Sequence, residues 1–220
     1  MTILLTILAA LSATLHIRAE YAGPVYQIYV FKPLTMLLII LIALLVRRTV
    51  SRRYRALVIA GLLFSLGGDI FLMLPVDMFI AGLVSFLIGH LFYIAAFSTG
   101  SWRPSSWWSP LPFLLYAVAI LSFLWPHLGQ MTIPVILYVT IIMTMAWRAW
   151  ERWSRMRHQA ALLALVGAVL FVASDSVLAV NKFSTPFEAA RLLTLVPYFT
   201  AQWFIAVSTA EDTAALFRRR

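Results

Sequence analysis

The sequence has no cysteine and few charged residues. Only 11% of its 220 residues are Asp, Glu, Lys or Arg, whereas a typical soluble domain has about 25%. Because 63% of the residues are hydrophobic, a soluble enzyme and a disordered chain are excluded, and the lack of cysteine excludes a disulfide-stabilised scaffold. The class of protein that remains, and that fits this composition, is a polytopic membrane protein.

Acidic residues are scarce as well, so the net charge is +9. In a soluble chain this excess would suggest a nucleic-acid partner, but no motif for one is visible and none is expected. The first residues, MTILLTILAALSATLH, lack a basic segment and a small-residue cleavage site. They therefore predict a retained helix rather than a signal peptide.

Eight apolar runs predict an all-α membrane bundle of eight transmembrane helices in one domain, residues 1–220. Each run is near the roughly 20 residues that cross a hydrocarbon core of about 30 Å. The fifth run is short and flanked by prolines. The runs cover residues 2–17, 29–46, 56–75, 78–98, 111–125, 132–150, 159–181 and 190–209.

Lys and Arg divide unequally between the two sides of such a bundle. Eight spans place both termini on one side, which has thirteen of these residues against four on the other. Because cytoplasmic loops have the excess of positive charge, both termini are predicted to be cytoplasmic. The four outer residues are Arg18, Lys32, Lys182 and Arg191.

A short pattern occurs in two spans. GLLFSLGGDIFL (61–72) and GAVLFVASDSVL (167–178) share Gly, Asp and Leu at an offset of 106 residues. Spans three and seven run in the same direction, so the pattern predicts two parallel four-helix halves; chance similarity between apolar helices is the alternative. The small residues before each Asp allow a neighbouring helix to approach the carboxylate closely.

Asp69 and Asp175 lie inside these two spans. Each is about six residues from the outer end of its span, hence about 9 Å deep at roughly 1.5 Å per residue. An intramembrane carboxylate costs about 3 kcal/mol or more, so it normally faces a polar cavity and has a function. A protonated structural carboxyl is the alternative. If both share a cavity, one can be an acid while the other stays ionised.

Four further polar residues lie inside predicted spans. His90 is in the middle of span four, and Tyr93 follows one turn later. Tyr198 and Gln202 share one face of span eight, just after Pro197, which is expected to kink the helix. Each of the four is either functional or a hydrogen-bonding partner between helices.

Three outer basic residues form a candidate site for an anionic headgroup. Ammonium and guanidinium groups bind phosphate well, and Arg can do so through two hydrogen bonds. The residues are Lys32, Lys182 and Arg191. For Lys32 the alternative is a side chain that reaches up to the lipid headgroups.

Motifs for metal, nucleotide and serine chemistry are lacking. Two Asp and one His can bind a divalent ion, but neither an H-x-x-x-H pair nor a cysteine pair accompanies them. No G-x-S-x-G, P-loop or dinucleotide motif is visible. We therefore expect no metal and no cofactor.

Five segments contain G-D, H-x-x-Y, S-D and Y-x-x-A-Q elements in order. They are YAGPVYQIYVFKPLTMLL (21–38), GLLFSLGGDIFLMLP (61–75), FLIGHLFYIAAF (86–97), GAVLFVASDSVLAVNKF (167–183) and ARLLTLVPYFTAQWFIAVS (190–208). Together they resemble the YhhN family of membrane proteins, which includes the lysoplasmalogenases. The resemblance covers nearly the whole chain and is weakest over 100–158.

The resemblance implies a hydrolase of the bacterial inner membrane that acts on alkenyl lysophospholipids, with membrane lipids around it. It implies catalytic roles for Asp69, Asp175 and His90. The implied substrate-binding residues are Lys32, Tyr93, Tyr198 and Gln202, to which the outer-side Lys182 and Arg191 are added from their charge.

The implied reaction suits two carboxyl groups. A vinyl ether is protonated at carbon, water captures the oxocarbenium ion, and the hemiacetal collapses to a fatty aldehyde and a glycerophospho-alcohol. One carboxyl supplies the proton, while the other stabilises the cation and activates water, as in glycoside hydrolysis. We predict these roles for Asp69 and Asp175 in either order, with His90 or Tyr198 positioning the water.

A transporter or lipid-binding protein is the alternative from another class. Intramembrane Asp pairs and parallel repeats also suit proton-coupled transport. A hydrolase releases aldehyde in detergent, whereas transport needs a sealed vesicle and a proton gradient. A metal-dependent hydrolase would in addition be inhibited by a chelator.

Overall fold

The computed structural model describes residues 1–46, 48–100 and 102–211. Within them the chain forms eight α-helices, one 3-10 turn (Gly129–Met131), one π-helical turn (Val180–Ser184) and no named β-strand. The α-helices are α1 Thr2–Ala22, α2 Val25–Leu44, α3 Arg52–Met73, α4 Phe79–Phe97, α5 Leu111–Leu128, α6 Thr132–Met156, α7 Gln159–Ala179 and α8 Ala190–Val207.

Seven helical segments of the described chain are long and apolar enough to cross a membrane. One of them, Leu111–Met156, joins α5, the 3-10 turn and α6 into 46 residues. The all-helical, multi-pass architecture is thereby confirmed. The count of eight crossings, the cytoplasmic termini and the two parallel halves stay predictions, and Arg47 and residues 218–220 of the positive side lie outside the described residues.

Several helix boundaries differ from the sequence prediction by three to six residues, and two of them lie at prolines. α2 begins at Val25, directly after Pro24, so Lys32 lies further inside the helix than the predicted run 29–46 indicates. α5 continues through Pro126 to Leu128. The fixed φ of proline is compatible with a helix, and the missing N–H costs the helix one backbone hydrogen bond.

Close packing of α3 against α4 depends on two glycines. A Cβ at Gly61 would lie 2.3 Å from the ring of Tyr93, and one at Gly68 would lie 2.5 Å from the ring of Phe86. The bare backbone of α3 therefore lets these rings of α4 lie against it. Since Gly68 directly precedes Asp69, this approach brings α4 beside the carboxylate.

α7 and α8 pack against each other in a similar way. The Ser174 hydroxyl donates to the Thr194 carbonyl at 2.9 Å, as the Ser85 hydroxyl of α4 donates to the Phe64 carbonyl of α3 at 2.6 Å. Each intramembrane aspartate thus belongs to the first helix of a tightly packed antiparallel pair.

α5 lies at the edge of the bundle. It contacts α6 and the π-helical turn, and its buried residues are Ala117, Leu124 and Leu128. Its inner face closes one side of the cavity described below, while its outer face is left for lipid.

Candidate functional site

One cavity contains both intramembrane aspartates. It has a volume of about 240 Å³, is lined by residues of all eight helices and lies at the end of the bundle predicted to face outward. Apolar side chains make up most of its wall. Its charged lining residues are Glu20, Lys32, Asp69, Asp175, Lys182 and Arg191.

Asp69 is held by contacts from two other helices. Its side chain is almost fully buried, and Lys32 Nζ of α2 lies 3.2 Å from its Oδ1. The Tyr198 hydroxyl of α8 donates to Oδ2 at 2.5 Å. Both carboxylate oxygens therefore already have a partner.

Asp175 is the more accessible of the two carboxyls, with 15% of its side chain exposed. Tyr138 of α6 donates to its Oδ2 at 2.5 Å. His90 Nε2 lies 2.9 Å from the Tyr138 hydroxyl and 3.7 Å from Oδ2. Because the single hydroxyl proton goes to Asp175, His90 Nε2 is the donor to Tyr138. None of these contacts involves Oδ1, which is left for a ligand.

Aromatic rings separate the two carboxyl clusters. Phe171 packs edge-on against both His90, at 4.7 Å between ring centres, and Tyr198, at 5.5 Å. Phe86 packs against Tyr198 at 5.9 Å. Each carboxyl therefore has its own tyrosine and its own nitrogen-containing side chain, Lys32 beside Asp69 and His90 beside Asp175. No three His, Cys, Asp or Glu side chains of the described chain are grouped so as to hold a metal ion.

Tyr93 and Gln202 form a hydrogen bond with each other and do not line the cavity. The Tyr93 hydroxyl donates to Gln202 Oε1 at 2.7 Å, and both side chains are fully buried. Among the described residues that line the cavity, neither these two nor His90 appears. The pair links α4 to α8 one turn from Tyr198, and a direct role in substrate binding stays a prediction.

Lys182 and Arg191 lie at the rim of the cavity, apart from Lys32. Arg191 Nη1 is 3.5 Å from Glu20 Oε2 and also donates to the Glu20 carbonyl. Lys182 lies on the π-helical turn, with Nζ 4.8 Å from the centre of the Phe79 ring. Lys32 is instead engaged by Asp69, and a role for it in binding the headgroup stays a prediction.

Tyr138 is a site residue that the sequence analysis missed. It lies in the apolar run VILYVT, with no charged residue nearby to mark it. A phenol buried in a membrane helix still needs a hydrogen-bond partner, and that was the one signal available.

The chain is similar over most of its length to proteins of one family. The YhhN family model matches residues 27–209. Uncharacterized membrane protein YhhN of Escherichia coli O157:H7 is 32% identical over 202 residues, 92% of this chain and 96% of that protein.

Two lysoplasmalogenases are also similar, and the chain spans less than two thirds of each. Lysoplasmalogenase TMEM86A of Bos taurus is 34% identical over 166 residues, 70% of this chain and 65% of that protein. Lysoplasmalogenase TMEM86B of Homo sapiens is 33% identical over 159 residues, 72% of this chain and 65% of that protein. No solved structure matches the chain.

Proposed function

The chain belongs to the YhhN family, and we propose that it hydrolyses the vinyl ether bond of alkenyl lysophospholipids inside the membrane. The observation that carries this proposal is a cavity with two carboxyl groups on its wall, a cationic rim and an otherwise apolar lining. The names of the lysoplasmalogenase relatives support the same substrate class.

The cavity suits a single-chain amphiphile. Lys182 and Arg191 at the rim are suited to the phosphate. Apolar residues of α6 such as Val139 and Ile142 offer a surface for the first part of the alkenyl chain. The vinyl ether, which joins the glycerol to the chain, then lies at the level of the two aspartates.

The surroundings of the carboxyls favour one assignment of roles. Asp69 has both oxygens bound and a lysine beside it, so it acts as the fixed anion that stabilises the cation. Asp175 has Oδ1 open to the cavity, so it acts as the proton donor. Tyr138 and His90 hold Asp175 in place.

The steps balance with one water. Protonated Asp175 gives its proton to the vinyl carbon farther from the ether oxygen, which leaves an oxocarbenium ion next to Asp69. Water attacks the carbon bonded to the ether oxygen and returns a proton to Asp175, which forms the hemiacetal. The carbon–oxygen bond to glycerol then breaks; the glycerol oxygen takes a proton while the hemiacetal hydroxyl loses one, and the aldehyde is released.

The test is aldehyde release by the purified protein in detergent. We expect turnover of an alkenyl lysophospholipid without added metal or cofactor. The matched substrate is the alkyl ether with the same headgroup and chain length, which has no double bond to protonate and is expected to be inert. No aldehyde from the alkenyl lipid, together with substrate uptake into sealed vesicles under a proton gradient, would replace the proposal with transport.

Solvent isotopes test the chemistry. In D₂O the aldehyde is expected to gain one deuterium at the carbon next to the carbonyl, because the acid protonates carbon. In H₂¹⁸O the label is expected in the aldehyde oxygen. Label in the glycerol hydroxyl would show that water attacks the glycerol carbon instead and would contradict this mechanism.

Tyr138→Phe is expected to slow turnover without unfolding the protein. The phenylalanine keeps the ring but removes the hydroxyl between His90 and Asp175. A hydrogen bond to a charged group contributes about 1.5–3 kcal/mol, which corresponds to a decrease in kcat of about 10- to 150-fold. Because Tyr138 positions the acid, the pH profile of kcat is also expected to change.

Tyr116→Phe is the matched control. The Tyr116 hydroxyl bonds to Ser176 at 2.9 Å, between α5 and α7, and is partly exposed. We expect near-wild-type kcat and an unchanged pH profile. Equal losses in the two variants would mean that the Tyr138 hydroxyl is merely structural.

A further inference from the structure

A second polar cluster lies at the opposite end of α6. Arg148, Arg152 and Arg155 are spaced so that they share one face of the helix. With Glu151 they line a pocket of about 120 Å³. Arg152 lies about 21 Å along α6 from Tyr138, at about 1.5 Å per residue. The pocket is therefore separate from the cavity of the proposed hydrolase.

Arg152 is a buried cation bonded to neutral groups. It is 4% exposed, and its Nη1 donates to the carbonyl and the hydroxyl of Thr99 at 3.2 and 3.0 Å. Its guanidinium carbon lies 4.2 Å from the centre of the Tyr54 ring. Within the described residues its Nε has no hydrogen-bond partner, and no Asp or Glu is within ion-pair distance.

Glu151 does not neutralise this charge. Its Oε2 accepts from the Ser105 backbone at 2.6 Å and from Arg155 at 3.2 Å, while its Oε1 accepts from the Ser105 hydroxyl at 2.9 Å. The pocket wall thus has three guanidinium groups and one carboxylate. That carboxylate already binds Arg155 and a loop, and among the described residues no carboxylate pairs with Arg152.

Capping of α4 explains only part of this arrangement. Thr99 lies just after the end of α4, where a cation is favourable. One nitrogen of Arg152 makes that contact. The buried Nε and the positive charge of Arg152 are not explained by this cap, and burying such a charge is costly unless an anion pairs with it.

We propose that this pocket binds the phosphate group of an anionic ligand. Guanidinium groups bind phosphate through paired hydrogen bonds, and the volume of the pocket is several times the roughly 30 Å³ of a water molecule. The pocket lies at the end of the bundle predicted to be cytoplasmic. Two sources supply this chemistry there: the headgroup of an anionic phospholipid in the inner leaflet, and a soluble phosphate compound.

Thermal unfolding of the full chain in detergent tests the proposal and separates the sources. Phosphatidylglycerol is compared with zwitterionic phosphatidylcholine, and inorganic phosphate with chloride at equal ionic strength. A ligand that binds only the folded protein raises the Tm in a saturable way. A rise with phosphatidylglycerol alone identifies a lipid site, and a rise with both phosphatidylglycerol and phosphate, or with phosphate alone, identifies a site open to soluble phosphates.

Arg152→Gln is the decisive variant. It is expected to raise the half-saturating ligand concentration by about tenfold or more. Arg53→Gln, which removes an exposed arginine at the same end of the bundle, is expected to leave it unchanged. Arg155→Gln changes an arginine at the partly exposed edge of the pocket and is expected to weaken ligand binding in the same way. It replaces Arg152→Gln in the test if the Arg152→Gln protein does not fold.

Two results would overturn the proposal. One is that neither phosphatidylglycerol nor phosphate raises the Tm more than its control. The other is that the pocket variants respond to the ligand as strongly as Arg53→Gln does. Since no activity is measured, either result leaves the proposed hydrolysis untouched.

Discussion

Asp175→Asn and Asp69→Asn are each expected to lower kcat for the alkenyl lysophospholipid by about 10² or more. Asparagine has nearly the shape of aspartate but cannot donate an acidic proton or carry negative charge. In the first variant the vinyl carbon is not protonated. In the second the oxocarbenium ion loses its fixed anion, and Lys32 beside it repels the developing positive charge.

Isotope labelling distinguishes the two losses. We expect that the residual turnover of Asp69→Asn still transfers one deuterium from D₂O to the aldehyde, with a large solvent isotope effect, because protonation by Asp175 is slow but intact. For Asp175→Asn we expect a rate that depends on external acid, such as added carboxylic acid buffers, since the internal donor is gone.

Asp77→Asn is the matched control for both variants. Asp77 lies in the loop before α4, where its Oδ1 accepts from the Phe79 backbone at 3.2 Å. Asparagine can make the same cap, so we expect near-wild-type kcat. Near-wild-type aldehyde release from either Asp69→Asn or Asp175→Asn would contradict the acid/base mechanism.

Lys32→Met is expected to destabilise the protein by about 3–5 kcal/mol, because it leaves a buried carboxylate without its counter-charge. The Lys32 side chain is 12% exposed and that of Asp69 is 2% exposed, so water cannot replace the lost ammonium. The double variant Lys32→Met/Asp69→Asn removes both charges and is expected to recover most of the lost stability. It is expected to stay inactive, since Asp69 is absent.

Unfolding in detergent, followed by thermal midpoint or by denaturant, measures these differences. Lys182→Met is the control, because Lys182 lies exposed at the rim; we expect little change in stability and a higher KM for substrate. If the double variant were as unstable as Lys32→Met, the pair would not be the source of the loss. If it were active, Asp69 would have no catalytic role.

Several features follow from the chain locally. Apolar runs of about 20 residues predict membrane helices wherever they occur, and most of the predicted runs coincide with a helix to within a few residues. The two aspartates stand out because charge inside such runs is rare. Their equal distance from the helix ends, four residues before Met73 and four before Ala179, also follows from the sequence.

The pairing of these groups depends on how the helices rotate and approach one another. Lys32 of α2 pairs with Asp69 of α3, a contact between helices that the apolar run of α2 does not indicate. Tyr138 joins His90 to Asp175 across three helices, and Gly61 and Gly68 set how closely α4 approaches α3. Hydropathy and spacing describe one helix at a time, whereas a hydrogen bond between helices depends on the relative depth and rotation of two.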